Sequence, residues 1–172
     1  MPATTLADDH ATTLQASLTG IGGLWAVAIP FGAYAPCSDI RAGRLVQATE
    51  NAINRQLLGA QHLKPSNKHL RIQLEWLVEG TDTEDPVIRG LMRVPMGLRS
   101  RMKERFELYI DPDGGAVCRK VHIKSKAFPC ATAVLEPLQD RPRGWGIISR
   151  FVASYGAHHG HGPDLIDKPG AV

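Results

Sequence analysis

The chain of 172 residues lacks the patterns that usually reveal a catalytic or metal-binding protein. It has only three cysteines, Cys37, Cys118 and Cys130, and no CxxC pair, which argues against a disulfide scaffold and a structural zinc site. The motifs HExxH, GxSxG and GxxxxGK[ST] do not occur. We therefore expect a non-enzymatic protein with reduced thiols and with neither a cofactor nor a metal.

Long apolar runs are also missing. The longest, Ile21 to Phe31, contains glycines and Pro30 and is too short to span a bilayer. The N-terminus carries Asp8 and Asp9 and no basic residue, unlike a secretory signal. We therefore expect a cytoplasmic protein.

The length fits one domain. Residues 1–20 are rich in Thr and Ala, which predicts a flexible N-terminal arm. Residues 21–156 are expected to form a single α+β domain. Residues 157–172 are rich in Gly, His and Pro and are expected to be an irregular tail.

Periodicity predicts the main elements of the domain. Apolar residues three or four apart predict a long helix from Ile40 to Leu58, with Ser38 at its start and Gly59 at its end. Apolar and polar residues alternate from Leu70 to Val78, which predicts a strand. The sequence DPDGG at 111–115 is typical of a hairpin turn.

The remaining segments complete the fold class. Residues 24–31 and 87–94 are predicted to be strands, and 127–143 a loop. Residues 144–155 are predicted to be a short helix, with a strand as the alternative. The fold expected is α+β: an antiparallel sheet of about four to five strands with one long and one short helix packed on one face.

Charge is unevenly distributed, although the net charge is only +3. An acidic stretch at 75–85 is followed directly by a basic stretch at 89–105, and a second basic group lies at 119–126. Guanidinium and ammonium groups bind phosphate oxygens. The predicted phosphate- or membrane-binding residues are Arg93, Arg99, Arg101, Lys103, Arg105, Lys120, Lys124 and Lys126.

That prediction requires the two basic stretches to converge on one surface. The alternative is an ordinary solvated face whose charge the acidic stretch neutralises.

Histidines offer two further candidates. His158, His159 and His161 are metal-ligand types, but no partner ligands at a suitable spacing accompany them. His122 and Cys118 would share one face of a strand and could form a nucleophilic pair. That face also carries Lys120, so an exposed basic stripe is the simpler interpretation.

The order of elements resembles that of a rhabdovirus-type matrix protein. The stretches that carry the resemblance cover residues 24–124: LWAVAIPF, SDIRAGRLVQATENAINRQL, HLRIQLEWLVEG and GLMRVPMGLRSRMKERFELYIDPDGGAVCRKVHIK. In that family a strand and a helix precede further strands, and a basic connection leads into a late hairpin. The chain departs from many members because it has no PPxY budding motif.

The resemblance implies a structural protein that self-associates, binds anionic membrane and condenses a ribonucleoprotein, as a virion protein does. The expected partners are anionic lipid or nucleic acid in a nucleoprotein, and further copies of the chain; no small-molecule substrate is indicated. If the chain is viral, we expect it in the virion and peripherally at membranes. The alternative is a nucleic-acid-binding α+β module with a ferredoxin-like sheet.

Overall fold

The computed structural model describes residues 23–34, 37–138 and 142–163, and within these ranges six strands form one sheet. The strands are β1 (Leu24–Pro30), β2 (Leu74–Glu79), β3 (Val87–Arg93), β4 (Glu107–Ile110), β5 (Val117–Ile123) and β6 (Ala131–Pro137). They lie in the order β2-β3-β1-β6-β5-β4, and every neighbouring pair is antiparallel. The sheet therefore has β2 at one edge and β4 at the other.

Three α-helices accompany the sheet in the described ranges: α1 (Asp39–Leu58), α2 (Arg99–Arg105) and α3 (Pro142–His159). The Ser38 hydroxyl caps the start of α1 by accepting the Arg41 N–H at 3.2 Å. Gly59 ends the helix with a φ of 72°, which favours glycine. These two residues confirm the helix predicted from Ile40 to Leu58.

The two long helices lie on opposite faces of the sheet. Trp25 and Val27 belong to the larger core, which they share with Leu45 and Ile53 of α1. Leu24, which alternates with Trp25 along β1, belongs to a second core with residues of α3. We call these two sides of the sheet the α1 face and the α3 face.

The α+β class and the antiparallel sheet are confirmed, with three corrections. The sheet has six strands, because residues 131–137, predicted to be loop, form β6 between β1 and β5. The second packed helix is 18 residues long rather than short. Helices cover both faces rather than one, because β1 presents apolar side chains alternately to each side.

The last helix extends beyond the segment that was predicted for it. The segment at 144–155 is helical, and α3 continues to His159, so the first residues of the predicted tail are helical too. Residues 164–172 and the predicted arm at 1–20 lie outside the described residues.

The strand predicted from Leu70 begins at Leu74, which pairs with Met92. Residues 65–70 form a 3-10 helix instead.

Candidate functional site

The predicted binding residues of the basic stretch at 89–105 lie in different environments. Arg93 ends β3 and pairs in register with Leu24, so it lies on the α3 face. Arg99 packs against Gly23, where an added Cβ would lie 2.6 Å from Arg99 Nε. Arg101 donates a hydrogen bond from Nη1 to the Leu57 carbonyl oxygen at 2.7 Å. The side chains of Arg99 and Arg101 therefore make contacts within the chain itself.

The other two predicted residues of this stretch lie on α2. Lys103 and Arg105 are both exposed. Lys103 lines a cleft that is described below, whereas Arg105 occupies the last position of the helix.

The second basic group is spread along β5. Lys120 lies on the α3 face, with Nζ 5.3 Å from the centroid of the Tyr109 ring on β4. Lys124 and Lys126 follow Ile123, at the far end of β5 from Val117. The seven residues of β5 span about 20 Å. Lys124 and Lys126 are therefore a strand length away from the β4–β5 turn.

A cleft of about 520 Å³ lies at the Val117 end of β5. Its cationic side chains come from three elements: Lys103 from α2, Arg119 from β5 and Arg143 from α3. The backbone of the β4–β5 turn at 114–116 forms one wall, and Trp25 and Pro137 add apolar surface. One residue of each predicted basic stretch, Lys103 and Arg119, is thus brought into the same cleft.

Among the described residues that line this cleft, Glu136 supplies a carboxylate. Its Oε1 lies 3.2 Å from Arg143 Nε, and the glutamate side chain is only 23% exposed. Lys103, Arg119 and Arg143 thus bring three cations to the cleft, against the Glu136 carboxylate in its lining and the Asp111 carboxylate beside Gly114. Among these described residues cations outnumber carboxylates, which favours an anionic ligand.

Gly114 allows Arg143 to approach the turn. A Cβ added at Gly114 would lie 3.3 Å from both Arg143 Nη1 and Asp111 Oδ2, which is closer than most Cβ contacts. A glycine at this position therefore leaves room for the guanidinium beside the turn.

Sequence reasoning missed Arg143 and did not include Arg119 among the site residues. Arg119 had a local signal, because it stands in the second basic group. Arg143 follows a proline in the segment predicted to be loop, and nothing nearby in the sequence connects it with Lys103. Only the packing of α3 on the sheet brings it to the cleft.

The His122 and Cys118 side chains do not form a nucleophilic pair. His122 Nε2 lies 2.9 Å from Glu107 Oε2 across the strands. Cys118 lies four residues away along β5, about 13 Å in an extended strand. Burial raises the pKa of the Cys118 thiol, and the Glu136 and Asp111 carboxylates raise it further, whereas Arg143 opposes them. The raised pKa favours the protonated thiol over the nucleophilic thiolate.

The histidines near the C-terminus pack against one another and against α3. The His159 ring lies 4.2 Å from the ring of Tyr155, and the His161 ring lies 5.9 Å from it. Throughout the described ranges, no three His, Cys, Asp or Glu side chains are grouped so that they could hold a metal ion.

Within residues 23–34, 37–138 and 142–163, no helix has both the length and the apolar character needed to cross a membrane. Comparison with known proteins finds no matching family, no matching curated protein and no matching solved structure.

Proposed function

We propose that this chain is a non-enzymatic assembly protein that binds phosphate groups of an anionic membrane through the cleft and self-associates. The observation that carries the proposal is that three cations from three elements, Lys103, Arg119 and Arg143, line one cleft. The ammonium and the two guanidinium groups supply the donors that phosphate oxygens accept. The same class of function is implied by the resemblance to matrix proteins.

A second feature supports a membrane rather than a free anion as the partner. Met96 is 77% exposed and stands three residues before α2, the helix that carries Lys103 and Arg105. An apolar side chain beside cations suits the boundary between headgroups and acyl chains, because the cations attract the anionic surface and the apolar group enters it.

Flotation with liposomes tests the proposal. Vesicles of phosphatidylcholine alone are compared with vesicles that also contain phosphatidylserine or a phosphoinositide. The double change Lys103→Gln with Arg119→Gln removes two cations from the cleft. At about 1 kcal/mol for each cation near the surface, we expect affinity for the anionic vesicles to fall about 30-fold.

Lys124→Gln with Lys126→Gln is the matched control, because it removes the same charge at the far end of β5. We expect this control to bind almost as well as the wild type. Equal losses from both double changes would show a diffuse effect of net charge and would reject the cleft as the site. The same conclusion would follow if the wild type bound no anionic vesicle.

A second candidate function is single-stranded nucleic-acid binding. It is favoured by side chains of β4 and β5 on the α3 face of the sheet. The Tyr109 ring lies beneath Lys120, and the exposed His122 lies on the same face of β5. Aromatic rings beside cations stack on bases and neutralise phosphates. Fluorescence anisotropy with a labelled single-stranded RNA at low salt tests it. Loss of binding in Tyr109→Ala would support the candidate, and no binding by the wild type would reject it.

A further inference from the structure

The segment that joins α1 to β2, residues 59–71, lies in a part of the chain that carries charge of one sign. From residue 51 to residue 74 the sequence has no Asp or Glu. The cations of this part are Arg55, Lys64, Lys68 and Arg71, and the first three are exposed. We call residues 59–71 the α1–β2 connection; it is a basic segment at the surface.

The carboxylates nearest to this part of the chain do not cancel its charge. Glu50 accepts the Leu74 N–H, and Glu75 accepts the Tyr155 hydroxyl at 2.6 Å, so both are engaged with other partners. Helix α2, which contacts the end of α1, carries four cations and one carboxylate, Glu104. Cations therefore outnumber carboxylates around the α1–β2 connection.

Hydrogen bonds within the connection fix its backbone. Arg71 donates from Nη2 to the Leu63 carbonyl oxygen at 2.9 Å and to the Lys64 carbonyl oxygen at 3.2 Å. Asn67 Nδ2 donates to the Gln61 carbonyl oxygen at 3.0 Å. The Leu63 side chain is nevertheless 65% exposed. The fold thus holds an apolar side chain in solvent directly beside the cation of Lys64.

The α1–β2 connection lies at the same end of the sheet as the cleft. It leads into β2 at Leu74, which pairs with Met92, and Met92 also pairs with Trp25 of β1. Trp25 in turn pairs with Pro137, and both line the cleft. The exposed Met96 follows β3 at this end too. The connection and the cleft can therefore approach one surface together.

We propose that the α1–β2 connection is a second contact with an anionic membrane, in which Leu63 enters the headgroup region while Lys64 and Lys68 bind lipid phosphates. Binding at a membrane surface combines apolar insertion with attraction between cations and anionic lipids. Two contacts on one domain also reinforce each other, because the first to bind keeps the second close to the surface. This inference rests on the membrane partner of the proposed function, but it does not depend on the cleft.

The composition of this part of the chain favours a membrane over nucleic acid. Proteins that bind single strands commonly stack bases on aromatic rings. Residues 51–74 contain no Phe, Tyr or Trp. An exposed leucine gains little from a phosphate backbone, whereas it loses contact with water when it enters the boundary between headgroups and acyl chains.

Flotation of the full chain with vesicles of phosphatidylcholine and phosphatidylserine tests the two parts of the contact. We expect Lys64→Gln with Lys68→Gln to lower the affinity about 30-fold, because two cations near the surface are removed. Lys124→Gln with Lys126→Gln is the control, since it removes the same charge at the far end of β5.

The apolar part of the contact has its own variant. Leu63→Gln is expected to lower the affinity at least about fivefold without any change of charge. Ile40→Gln is the control, because Ile40 is 75% exposed and lies at the opposite end of α1. Equal binding by the Leu63→Gln variant and the wild type would overturn the insertion of Leu63.

A Leu63→Trp variant reports insertion directly. It should bind the anionic vesicles at least as tightly as the wild type, because tryptophan favours the membrane interface. Brominated lipids should quench the fluorescence of this variant more than that of the wild type. An Ile40→Trp variant controls for the added ring and should show no extra quenching. Equal quenching of the two tryptophan variants would contradict insertion at Leu63.

The outcomes separate this inference from the cleft. Full binding by both the Leu63 and the Lys64/Lys68 variants, with a loss in the Lys103/Arg119 variant, would remove the connection as a site and keep the cleft. The reverse result would keep the connection and remove the cleft. A wild type that binds no anionic vesicle would remove both. Loss of RNA binding rather than vesicle binding in the Lys64/Lys68 variant would overturn the membrane as the partner.

Discussion

Asn54 on α1 forms a reciprocal pair of hydrogen bonds with the backbone of Ile72. The Ile72 N–H donates to Asn54 Oδ1 at 2.7 Å, and Asn54 Nδ2 donates to the Ile72 carbonyl oxygen at 3.0 Å. Asn54 is only 4% exposed. The side chain thus satisfies both backbone groups of Ile72 just before β2 begins.

We predict that Asn54→Ala lowers the free energy of unfolding by about 2 to 4 kcal/mol. The change leaves two buried backbone groups of Ile72 without partners, and each costs about 1 to 3 kcal/mol. Urea denaturation measures the effect. Asn51→Ala is the control, because Asn51 is exposed on the same helix. Equal effects of the two changes would contradict a specific role for the Asn54 pair.

Glu50 gives a prediction for pH. Burial raises the pKa of Glu50, the hydrogen bond from the Leu74 N–H opposes this, and the Glu75 carboxylate raises it further. The folded chain therefore holds this proton more tightly than the unfolded chain does. Stability falls as pH rises from about 4.3, the ordinary value of a glutamate, through the raised pKa.

We predict that Glu50→Gln is more stable than the wild type at pH 7, since an amide resembles the protonated acid and its oxygen can still accept the Leu74 N–H. The advantage should shrink as pH falls through the raised pKa toward about 4.3, and it should be lost below about 4. Thermal unfolding across this pH range measures it, with Glu104→Gln as an exposed control on α2. An advantage that stays constant with pH would contradict the role of ionisation.

Arg101 is predicted to stabilise α1 rather than to bind a partner. Its hydrogen bond to the Leu57 carbonyl satisfies one of the last carbonyl groups of that helix. Arg101→Ala should lower the free energy of unfolding by about 1 kcal/mol, whereas Arg105→Ala, on the same short helix, should change it by less than about 0.5 kcal/mol. Chemical denaturation distinguishes them. The Arg101→Ala variant should therefore bind anionic vesicles with the same affinity as the wild type.

Gly23 is predicted to tolerate no side chain. Its φ is 89°, and an added Cβ would lie 2.6 Å from Arg99 Nε and 2.8 Å from the Val94 carbonyl oxygen. We expect Gly23→Ala to cost about 1 to 3 kcal/mol of stability. Gly97→Ala is the control, because no atom lies within 4 Å of an added Cβ there. Similar melting temperatures for the two variants would refute the prediction.

Glu136 is predicted to weaken anion binding by the cleft. Glu136→Gln removes the carboxylate that pairs with Arg143 and so reduces the negative charge beside Lys103, Arg119 and Arg143. Affinity for anionic vesicles should rise about fivefold, which corresponds to about 1 kcal/mol. Glu84→Gln, in the exposed turn between β2 and β3, is the control and should have little effect. Unchanged binding by Glu136→Gln would count against the cleft.

Much of the local structure could be predicted because it depends on residues close in sequence. The Ser38 and Gly59 caps mark the ends of α1. The hairpin turn is stabilised where the Asp113 N–H donates to Asp111 Oδ1 at 3.1 Å, and Gly115 adopts a φ of 66°. These features need no information about distant parts of the chain.

The strand β6 was missed although its pattern is present. Ala131, Ala133 and Leu135 are buried and alternate with partly exposed residues. Small side chains and two flanking prolines, Pro129 and Pro137, are equally typical of a loop. What makes this segment a strand is its place between β1 and β5, which supplies backbone partners on both sides.

The bounds of α1 and of the hairpin turn follow from the sequence alone, because caps, turn residues and periodicity act over a few positions. Which cations meet in the cleft depends instead on tertiary contacts. Lys103, Arg119 and Arg143 come together through the order of the strands and the packing of α3. That order is a property of the whole folded chain, since β1 takes both of its neighbours, β3 and β6, from segments far away in sequence.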